Sequence, residues 1–396
     1  MLPQKLQHKL DQRKQDNALR HLGAPNDLVD FSSNDYLGFS KSDSIFKNAQ
    51  HYLETHHLGH NGSTGSRLLS GNHNLYKDVE NLISTFHKAE TALIFNSGYD
   101  ANLGFFSSVP QRNDIILYDE YCHASIRDGI SMSHAKAFKF RHNDLGDLEE
   151  RLTHLLQTSK NLDTEPAEVY LVTESVFSMD GDSPDLKTLV KLGNTYNAHI
   201  IIDEAHAVGM FGEQGNGLIN HLNLETKIFA RIITFGKALG SHGAAILGSA
   251  SLKDFLINFS RPFIYTTALP PHSLATIKAG YQELKNTTQS QLLQQNIAFF
   301  SAEVKRLKLM TFQNDKISEE KKGFIESQTA IHCCIICGND HVKHISELLQ
   351  HEGFDVKAIL SPTVPKTKER LRFCLHSYNT KKEITKVLEL LHTFAF

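Results

Sequence analysis

The chain has 396 residues and a formal net charge of −3, because 41 Lys and Arg residues stand against 44 Asp and Glu residues. This balance gives no bulk electrostatic case for binding nucleic acid or an anionic membrane surface. With 40 % hydrophobic and 21 % charged residues, a disordered or fibrous chain is also excluded. No apolar run reaches the roughly 18 residues that span a bilayer, and the opening segment MLPQKLQHKLDQRKQ lacks the apolar core of a secretory signal. We therefore expect a cytoplasmic protein without nucleic-acid or membrane partners.

The five cysteines are too few, and odd in number, for a disulfide framework. Cys334 and Cys337 form a C-x-x-C inside the apolar run IHCCIIC. A zinc or redox pair would more often lie on a turn with a second pair nearby. We interpret this run as a buried strand and predict no metal site.

Taken in chain order, the elements begin with Leu2, Leu6 and Leu10 at i, i+4 spacing, which predicts an amphipathic N-terminal helix. Between residues 70 and 250, segments of helical spacing alternate with short apolar runs. These runs are the predicted strands: TALIF (91–95), DIILY (114–118), EVYLVTE (168–174), HIIID (199–203), RIITF (231–235) and AAILG (244–248). Nearly continuous apolar strands are typical of a sheet with helices on both faces, so an α/β fold with a mainly parallel sheet is predicted.

After Pro270 and Pro271 the pattern changes and predicts a smaller α+β domain. Its predicted elements are helices within 273–308, strands at 329–336 and 370–375, and a final helix at 381–393; residues 314–322 are predicted to form an exposed loop. The expected organisation is an N-terminal helical segment (1–40), a large α/β domain (41–280) and a small C-terminal α+β domain (281–396).

Ligands of open α/β sheets bind beyond the carboxyl ends of the strands. The residues that follow the predicted strands are therefore informative. They are Asn96-Ser97-Gly98-Tyr99, the segment 119–123 with His123, the segment 175–182 with Ser178, Asp203-Glu204-Ala205-His206, and Gly236-Lys237. A purely structural account does not predict this concentration of polar groups.

Asp203 and His206 allow three interpretations. They could be a helix cap with a solvated histidine, or part of a metal site, although no further ligand stands at a suitable spacing. They could also hold pyridoxal phosphate, whose chemistry needs a carboxylate that keeps the ring nitrogen protonated.

Lys237 helps to choose among these three interpretations. Lysines near strand ends are usually solvated, but this one lies among Thr234, Gly236 and Gly240, where a backbone can approach a ligand closely. A partly desolvated lysine is a competent nucleophile toward a carbonyl and, once freed, a general base.

The remaining polar segments are weaker signals. Ser97-Gly98-Tyr99 lies between a strand and a helix, where backbone N–H groups favour an anion, but many such turns serve geometry alone. His123 could be a capping histidine or could stack on a cofactor ring. The glycine-rich segment 59–67 does not follow a strand in a G-x-G-x-x-G arrangement, so nicotinamide binding is unsupported.

Several segments together resemble the α-oxoamine synthases, which are fold-type I pyridoxal-phosphate enzymes that join an amino acid to an acyl thioester with loss of CO₂. The segments are FSSNDYLG, GSTGSRLLSG, NSGYDAN, YCHASIRDG, ESVFSMDGD, DEAHAVGMFGEQG and TFGKALG. They follow the family's order from residue 31 to about 375. The resemblance implies the fold-type I transferase fold, with a mostly parallel central sheet in the large domain and a smaller α+β C-terminal domain.

The resemblance also implies roles for individual residues. Lys237 would bind pyridoxal phosphate covalently and later remove the Cα proton. Asp203 would bond the ring nitrogen, His206 and Ser178 would contact the O3′ side, and His123 would stack on the ring. The implied phosphate contacts are Ser97, Gly98, Tyr99 and Thr234, with Thr266 and Thr267 reaching the phosphate of a second subunit. The implied substrate contacts are Arg20, Asn34, His123 and Thr363.

One position departs from the family. An arginine usually stands three residues before Thr363, where it clamps the carboxylate of the amino acid, and here that position is Leu360. An apolar side chain cannot make a bidentate contact with a carboxylate. Another cation, Arg370 or Arg372, would have to serve, or the amino-acid site differs.

The expected activity is a condensation of L-alanine with a pimeloyl thioester, carried by coenzyme A or by a carrier protein, in a homodimer with shared sites. GSRLLSG, VFSMDGD and SPTVP favour this member of the family. The alternatives are sister enzymes that use glycine with acetyl-CoA or serine with a long acyl-CoA, and a non-catalytic subunit that binds the cofactor. A silent subunit is expected to have lost the lysine, and Lys237, Asp203 and His206 are all present.

Overall fold

The computed structural model describes residues 2–23, 26–159, 167–310 and 322–396. Its strands are Val29–Asp30 (β1), Thr91–Phe95 (β2), Ile115–Asp119 (β3), Lys136–Phe140 (β4), Val169–Glu174 (β5), His199–Asp203 (β6), Ala230–Thr234 (β7), Ala244–Gly248 (β8), Gly323–Phe324 (β9), Ile331–Ile335 (β10), Phe354–Asp355 (β11), Lys357–Ile359 (β12) and Arg370–Cys374 (β13). Most of the loop predicted at 314–322 lies outside the described residues.

The helices alternate with these strands through the middle of the chain. They are Gln4–Gln15 (α1), Asp43–Thr55 (α2), Asn74–Phe86 (α3), Gly98–Phe106 (α4), Ala124–Ser131 (α5), Leu145–Ser159 (α6), Leu186–Thr195 (α7), Leu218–His221 (α8), Ala250–Phe259 (α9), Arg261–Ile264 (α10), Pro271–Asn286 (α11), Gln289–Arg306 (α12), Asn339–His351 (α13) and Lys381–Ala395 (α14). In the described part of the chain, no helix combines the length and apolar character needed to cross a membrane.

The described chain divides into two compact units. The large unit comprises Leu37–Phe177 and Ser183–Ser290, and the small unit comprises Met1–Tyr36, Ser178–Asp182 and Gln291–Phe396. The small unit thus draws on both ends of the chain: β1 pairs in parallel with β11, and β12, β13, β10 and β9 form an antiparallel sheet in that order.

The large unit is built on one sheet with the strand order β2-β8-β7-β6-β5-β3-β4. All of its strands run in the same direction except β8, which is antiparallel to both β2 and β7. Alternate residues of the central strands β3, β5 and β6 enter two separate apolar clusters: Ile116 and Ile201 belong to one, whereas Ile115 and Ile202 belong to the other. Helices therefore cover both faces, as the continuous apolar runs predict.

Two features differ from the sequence analysis or extend it. Strand β4, KAFKF, was not predicted, because it pairs only with β3 at the edge of the sheet and three of its five residues, both lysines among them, are exposed. Helix α1 forms, yet it has no buried residue among those described, and Leu2, Leu6 and Leu10 are 52 %, 48 % and 40 % exposed. The apolar stripe of α1 therefore contributes nothing to the described core.

Candidate active site

The carboxyl ends of β3, β5, β6 and β7 meet at one edge of the large unit's sheet, because these strands are parallel. They end in Asp119, Glu174, Asp203 and Thr234, and Lys237 follows three residues later. Lys237 Nζ lies 2.7 Å from His206 Nε2. We call Lys237, His206, Asp203 and His123 the strand-end cluster.

The loop that carries Lys237 has a defined shape. Phe235 N–H donates to the carbonyl of Gly243, and Gly240 N–H donates to the carbonyl of Lys237, both at 2.9 Å. Gly240 has φ of +57°, and a Cβ at this position would lie 2.1 Å from Ser40 N. Only glycine fits there, so Gly240 serves the geometry of the loop.

Asp203 is buried at the end of β6 and bonded by neutral donors. Its Oδ2 accepts from Asn102 Nδ2 at 2.8 Å, and its Oδ1 accepts from the backbone N–H of Ala205 at 2.9 Å. His206 is also buried. A buried carboxylate with neutral partners keeps its negative charge available to a cationic ligand group.

The turn after Asp203 is anchored by its neighbour, Glu204. The backbone N–H of Glu204 donates to the carbonyl of Ile232, and its side chain accepts from Ile219 N–H at 2.9 Å and pairs with Arg231 at 3.5 Å. Arg231 Nη1 also donates to Asn220 at 2.7 Å. This buried network fixes the segment that presents Asp203 and His206.

His123 caps the N-terminus of α5, and the residue retains solvent exposure. Its Nδ1 lies 2.8 Å from Ser125 Oγ and accepts the backbone N–H of Ser125 at 3.2 Å. Its backbone N–H donates to Glu174 Oε1 at 2.6 Å. Burial, together with the positive charge of Lys237, lowers the pKa of His123. Burial and the negative charge of Asp203 raise the pKa of Glu174 well above its usual range.

The predicted anion-binding turn stands at the start of α4. Ser97 caps this helix, since its Oγ accepts the N–H of Asp100 at 3.0 Å. Tyr99 is exposed, and its hydroxyl donates to Asp128 at 2.6 Å, which raises the pKa of Tyr99. The hydroxyl of Tyr99 is therefore engaged away from the turn.

The surroundings of Thr234 show whether these residues are suited to bind a phosphate. Its buried Oγ1 has no hydrogen-bond partner within the described chain, and a Cβ on Gly98 would lie 2.6 Å from its Cγ2. A glycine at a helix N-terminus, packed against the methyl group of a threonine whose buried hydroxyl is unsatisfied, is a suitable cradle for an anion. Thr266 and Thr267 are linked to the same region through Asn96 Nδ2, which donates to Thr266 Oγ1 at 3.1 Å and to the carbonyl of Thr267 at 2.7 Å.

The small unit holds the other predicted residues around strand β13. Arg372 is buried; its Nε donates to the carbonyl of Ser178 at 2.7 Å and its Nη2 donates to Asn34 Oδ1 at 3.0 Å. Arg370, also buried, pairs with Asp180 and donates to the carbonyl of Met179 at 2.8 Å. Of the two arginines, Arg370 has a carboxylate partner and Arg372 has neutral partners.

Arg20 and Thr363 are not joined to this group. Both are exposed. The backbone N–H of Thr363 donates to the carbonyl of Leu360 at 2.9 Å, and within the described ranges no hydrogen bond or ion pair links Arg20 to the other predicted residues. Their substrate roles remain predictions.

Sequence reasoning missed Asn102, Ser125 and Glu174, which hold the strand-end cluster in place. Glu174 ends a predicted strand beside Asp203, so its position alone could have indicated it. Asn102 and Ser125 lie within helices and carry no local signal, because Asn102 meets Ser125 and Asp203 only through contacts between distant parts of the chain.

Comparisons with known proteins agree with this geometry. Residues 26–391 match the family described as aminotransferase class I and II. An 8-amino-7-oxononanoate synthase of Emericella nidulans is 39 % identical over 380 residues, which cover 93 % of this chain and 90 % of that protein. The crystal structure of 8-amino-7-oxononanoate synthase from Francisella tularensis has a TM-score of 0.74 at 28 % identity, covering 92 % of this chain and 97 % of that one.

A serine palmitoyltransferase from S. paucimobilis, with a bound pyridoxal phosphate–myriocin aldimine, has a TM-score of 0.83 at 24 % identity and covers 98 % of this chain and 96 % of that one. This likeness concerns the fold alone. The chain belongs to the aminotransferase class I and II family. The predicted fold class and the family resemblance are thereby confirmed.

Proposed function

We propose that this chain is a pyridoxal-phosphate-dependent acyltransferase that condenses L-alanine with a pimeloyl thioester to give 8-amino-7-oxononanoate, CO₂ and the free thiol. The observation that carries the proposal is the 2.7 Å contact between Lys237 Nζ and His206 Nε2 beside the buried Asp203. The relative at 39 % identity that is named for this reaction supports it.

In this proposal the strand-end cluster holds the cofactor. Lys237 is its covalent anchor, Asp203 faces the ring nitrogen, His206 and Ser178 contact the O3′ side, and His123 lies against the ring. The phosphate contacts are Ser97, Gly98, Tyr99, Thr234, Thr266 and Thr267. The unsatisfied Oγ1 of Thr234 supports the phosphate assignment, whereas the Tyr99 hydroxyl is already bonded to Asp128, so Tyr99 would contribute its backbone N–H.

When bound, pyridoxal phosphate withdraws electrons from the Cα of the amino acid and makes its proton acidic. Asp203 keeps the proton on the ring nitrogen, because its charge is not cancelled by a cation bonded to it in the described chain. Lys237 Nζ accepts the Cα proton and returns one after loss of CO₂. His206 Nε2, at hydrogen-bond distance, orients the amine.

Arg372 is the cation that we assign to the carboxylate of the amino acid in place of Leu360. A buried guanidinium costs free energy unless an anion accompanies it. Within the described residues the hydrogen-bond partners of Arg372 are all neutral: the carbonyl of Ser178, Asn34, Cys374 and the hydroxyl of Tyr36. Arg370 is a poorer choice because Asp180 already neutralises it. Asn34, bonded to Arg372, would share the same carboxylate.

We further propose that the active form is a cytoplasmic homodimer. Leu69 and Tyr265 are 84 % and 73 % exposed, and they lie on neighbouring segments joined by the hydrogen bond from Ala268 N–H to the carbonyl of Gly65 at 3.0 Å. Exposed apolar side chains on adjoining segments are typical of a covered interface. Thr266 and Thr267 would reach the partner's phosphate from this face.

The decisive experiment combines absorbance with substrate selection. Purified protein is loaded with pyridoxal phosphate, and a band that borohydride bleaches would establish a lysine-bound cofactor. L-alanine, glycine and L-serine are then each added with pimeloyl-CoA, pimeloyl carrier protein or acetyl-CoA, and thiol release and product mass are measured. We expect product only with L-alanine and a pimeloyl thioester. Product from glycine or serine instead would assign a sister activity, and a protein that binds no cofactor would refute the proposal.

A further inference from the structure

A hydrogen-bonded chain connects Asp203 to the ring of His123 through Asn102 and Ser125. Asn102 is 2 % exposed and Ser125 is fully buried. Asn102 Nδ2 lies 2.8 Å from Asp203 Oδ2 and 3.1 Å from Ser125 Oγ, and Ser125 Oγ lies 2.8 Å from His123 Nδ1. The mechanism proposed above does not use Asn102 or Ser125.

The donor and the acceptor of each hydrogen bond between Asp203 and His123 follow from the chemistry of the groups that take part. An ionised carboxylate only accepts hydrogen bonds, so the amide nitrogen of Asn102, and not its oxygen, must face Asp203. The same amide nitrogen then donates its second proton to Ser125 Oγ. The hydroxyl proton of Ser125 is left to donate to His123 Nδ1.

A second donor confirms this direction. The backbone N–H of Ser125 points at His123 Nδ1 from 3.2 Å, and a backbone N–H cannot accept. His123 Nδ1 therefore receives two donors and must carry a lone pair, which places the ring proton of neutral His123 on Nε2. In the described chain Nε2 has no hydrogen-bond partner, and the residue retains solvent exposure.

We propose that Asn102 and Ser125 are positioning residues that hold His123 as the neutral Nε2–H tautomer, so that its ring offers a ligand a hydrogen-bond donor and no base. The inference deepens the proposed function and rests on it for the identity of that ligand, an oxygen atom of the cofactor-bound substrate. It also separates two roles in the strand-end cluster: Lys237 moves the proton, and His123 donates a hydrogen bond.

The surroundings of His123, burial above all, favour the neutral ring. Burial is the largest influence and lowers its pKa; Lys237 and Arg127 lower it further, whereas Asp203 and Asp128 raise it. A protonated ring would also lose the bond that Nδ1 accepts from the Ser125 backbone N–H, and would reverse its bond with the Ser125 hydroxyl. Glu174, which accepts the backbone N–H of His123 at 2.6 Å, holds the residue in the position that these bonds require.

The tautomer is measured directly by two-bond ¹H–¹⁵N correlation spectra of protein labelled at histidine nitrogen, with and without pyridoxal phosphate. The signal of His123 is assigned by its disappearance in His123→Gln. We expect the Nε2–H pattern in the wild type. In Ser125→Ala, loss of one hydrogen bond reduces the preference for this tautomer about fivefold, since one such bond is worth about 1 kcal/mol.

Ser108→Ala is the matched control, because the Ser108 hydroxyl donates only to the carbonyl of Gly104 at 2.6 Å, at the far end of α4. It should leave the His123 signal unchanged. An Nδ1–H pattern in the wild type, or an unchanged ratio in Ser125→Ala, would overturn the inference. If the wild type forms product yet shows the Nδ1–H pattern, only this inference fails. If it shows Nε2–H but forms no product, only the proposed function fails.

Discussion

Each compact unit places a neutralised charge beside a charge that has neutral partners. In the large unit Glu204 pairs with Arg231, whereas Asp203, the preceding residue, is bonded by Asn102 and a backbone N–H. In the small unit Arg370 pairs with Asp180, whereas Arg372, two residues later, is bonded by a carbonyl, an amide oxygen, a thiol and the hydroxyl of Tyr36.

The comparison teaches which buried charges are structural. An ion pair completed inside the protein stabilises the fold when both partners are present and penalises the loss of either one. A buried charge with neutral partners is available to a ligand. The two units differ in what surrounds that charge: Asp203 lies with His123, His206 and Lys237, which suits proton transfer, whereas Arg372 lies with Asn34 and Cys374, which suits recognition of an anion.

The largest expected effect concerns the strand-end cluster. Lys237→Ala removes both the covalent anchor and the base, so the condensation rate should fall by at least about 10⁴-fold, while thermal unfolding stays close to that of the wild type. Thiol release and circular dichroism measure the two quantities. Lys187→Ala, which removes an exposed lysine on α7, is the control and should keep full activity. Condensation by Lys237→Ala at a rate near that of the wild type would exclude the assignment.

The next prediction distinguishes the two arginines of β13 by their effects on stability and on the KM for L-alanine. Arg370→Leu leaves Asp180 buried without a counter-ion and should lower the free energy of unfolding by about 3–5 kcal/mol. Arg372→Leu should lower it less, by about 1–2 kcal/mol, but should raise the KM for L-alanine by about 10- to 100-fold through the lost charged contact. Urea unfolding and steady-state kinetics measure both variants.

Arg306→Leu is the control for stability, because Arg306 pairs with Glu303 in the same unit but is half exposed. Arg306→Leu should lower the free energy of unfolding much less than Arg370→Leu does. The roles that we assign to the two arginines would be wrong if Arg370→Leu raised the KM for L-alanine while Arg372→Leu left it unchanged.

The smallest effect is a pH dependence carried by buried histidines. Burial lowers the pKa of His332 in the small unit, and of His87 in the large unit, to about 3. Between about pH 6.5 and pH 3 the unfolded chain binds a proton that the folded chain does not, so stability is lost as the pH falls. Each histidine contributes about 1.4 kcal/mol per pH unit in this interval.

His332→Phe should remove its share of this slope. In the described chain His332 Nε2 has no partner and the ring packs on Phe300 at 4.6 Å, so the change loses the hydrogen bond to the backbone of Thr329 but keeps the ring packing. His87 bonds both Asn216 and Tyr281 at 2.9 Å, so the same change there should destabilise the protein at every pH. Urea unfolding between pH 6 and pH 4 measures the slope, with the exposed His351→Gln as control. An unchanged slope in His332→Phe would show that His332 is protonated in the folded state.

Local patterns in the sequence predicted much of the fold. The apolar runs predicted β2, β6 and β8 at their observed bounds, and β3 and β7 within one residue. Strand β4 was missed because an edge strand buries little, so its sequence need not be apolar. The positions of Asp203 and Lys237 followed from the same logic, since a polar residue directly after a buried strand lies at the sheet edge.

By itself, the sequence determined the parallel sheet, the order of the polar strand ends and the family, because each is encoded by residues close together in the chain. Only the tertiary structure decided which charges are neutralised and which way His123 is bonded. Asn102 meets Ser125 across 23 residues and Asp203 across 101. Such contacts depend on how helices pack on the sheet, and no local propensity specifies them. Whether Asp180 neutralises Arg370 or Arg372, two positions apart on one strand, is likewise settled by packing.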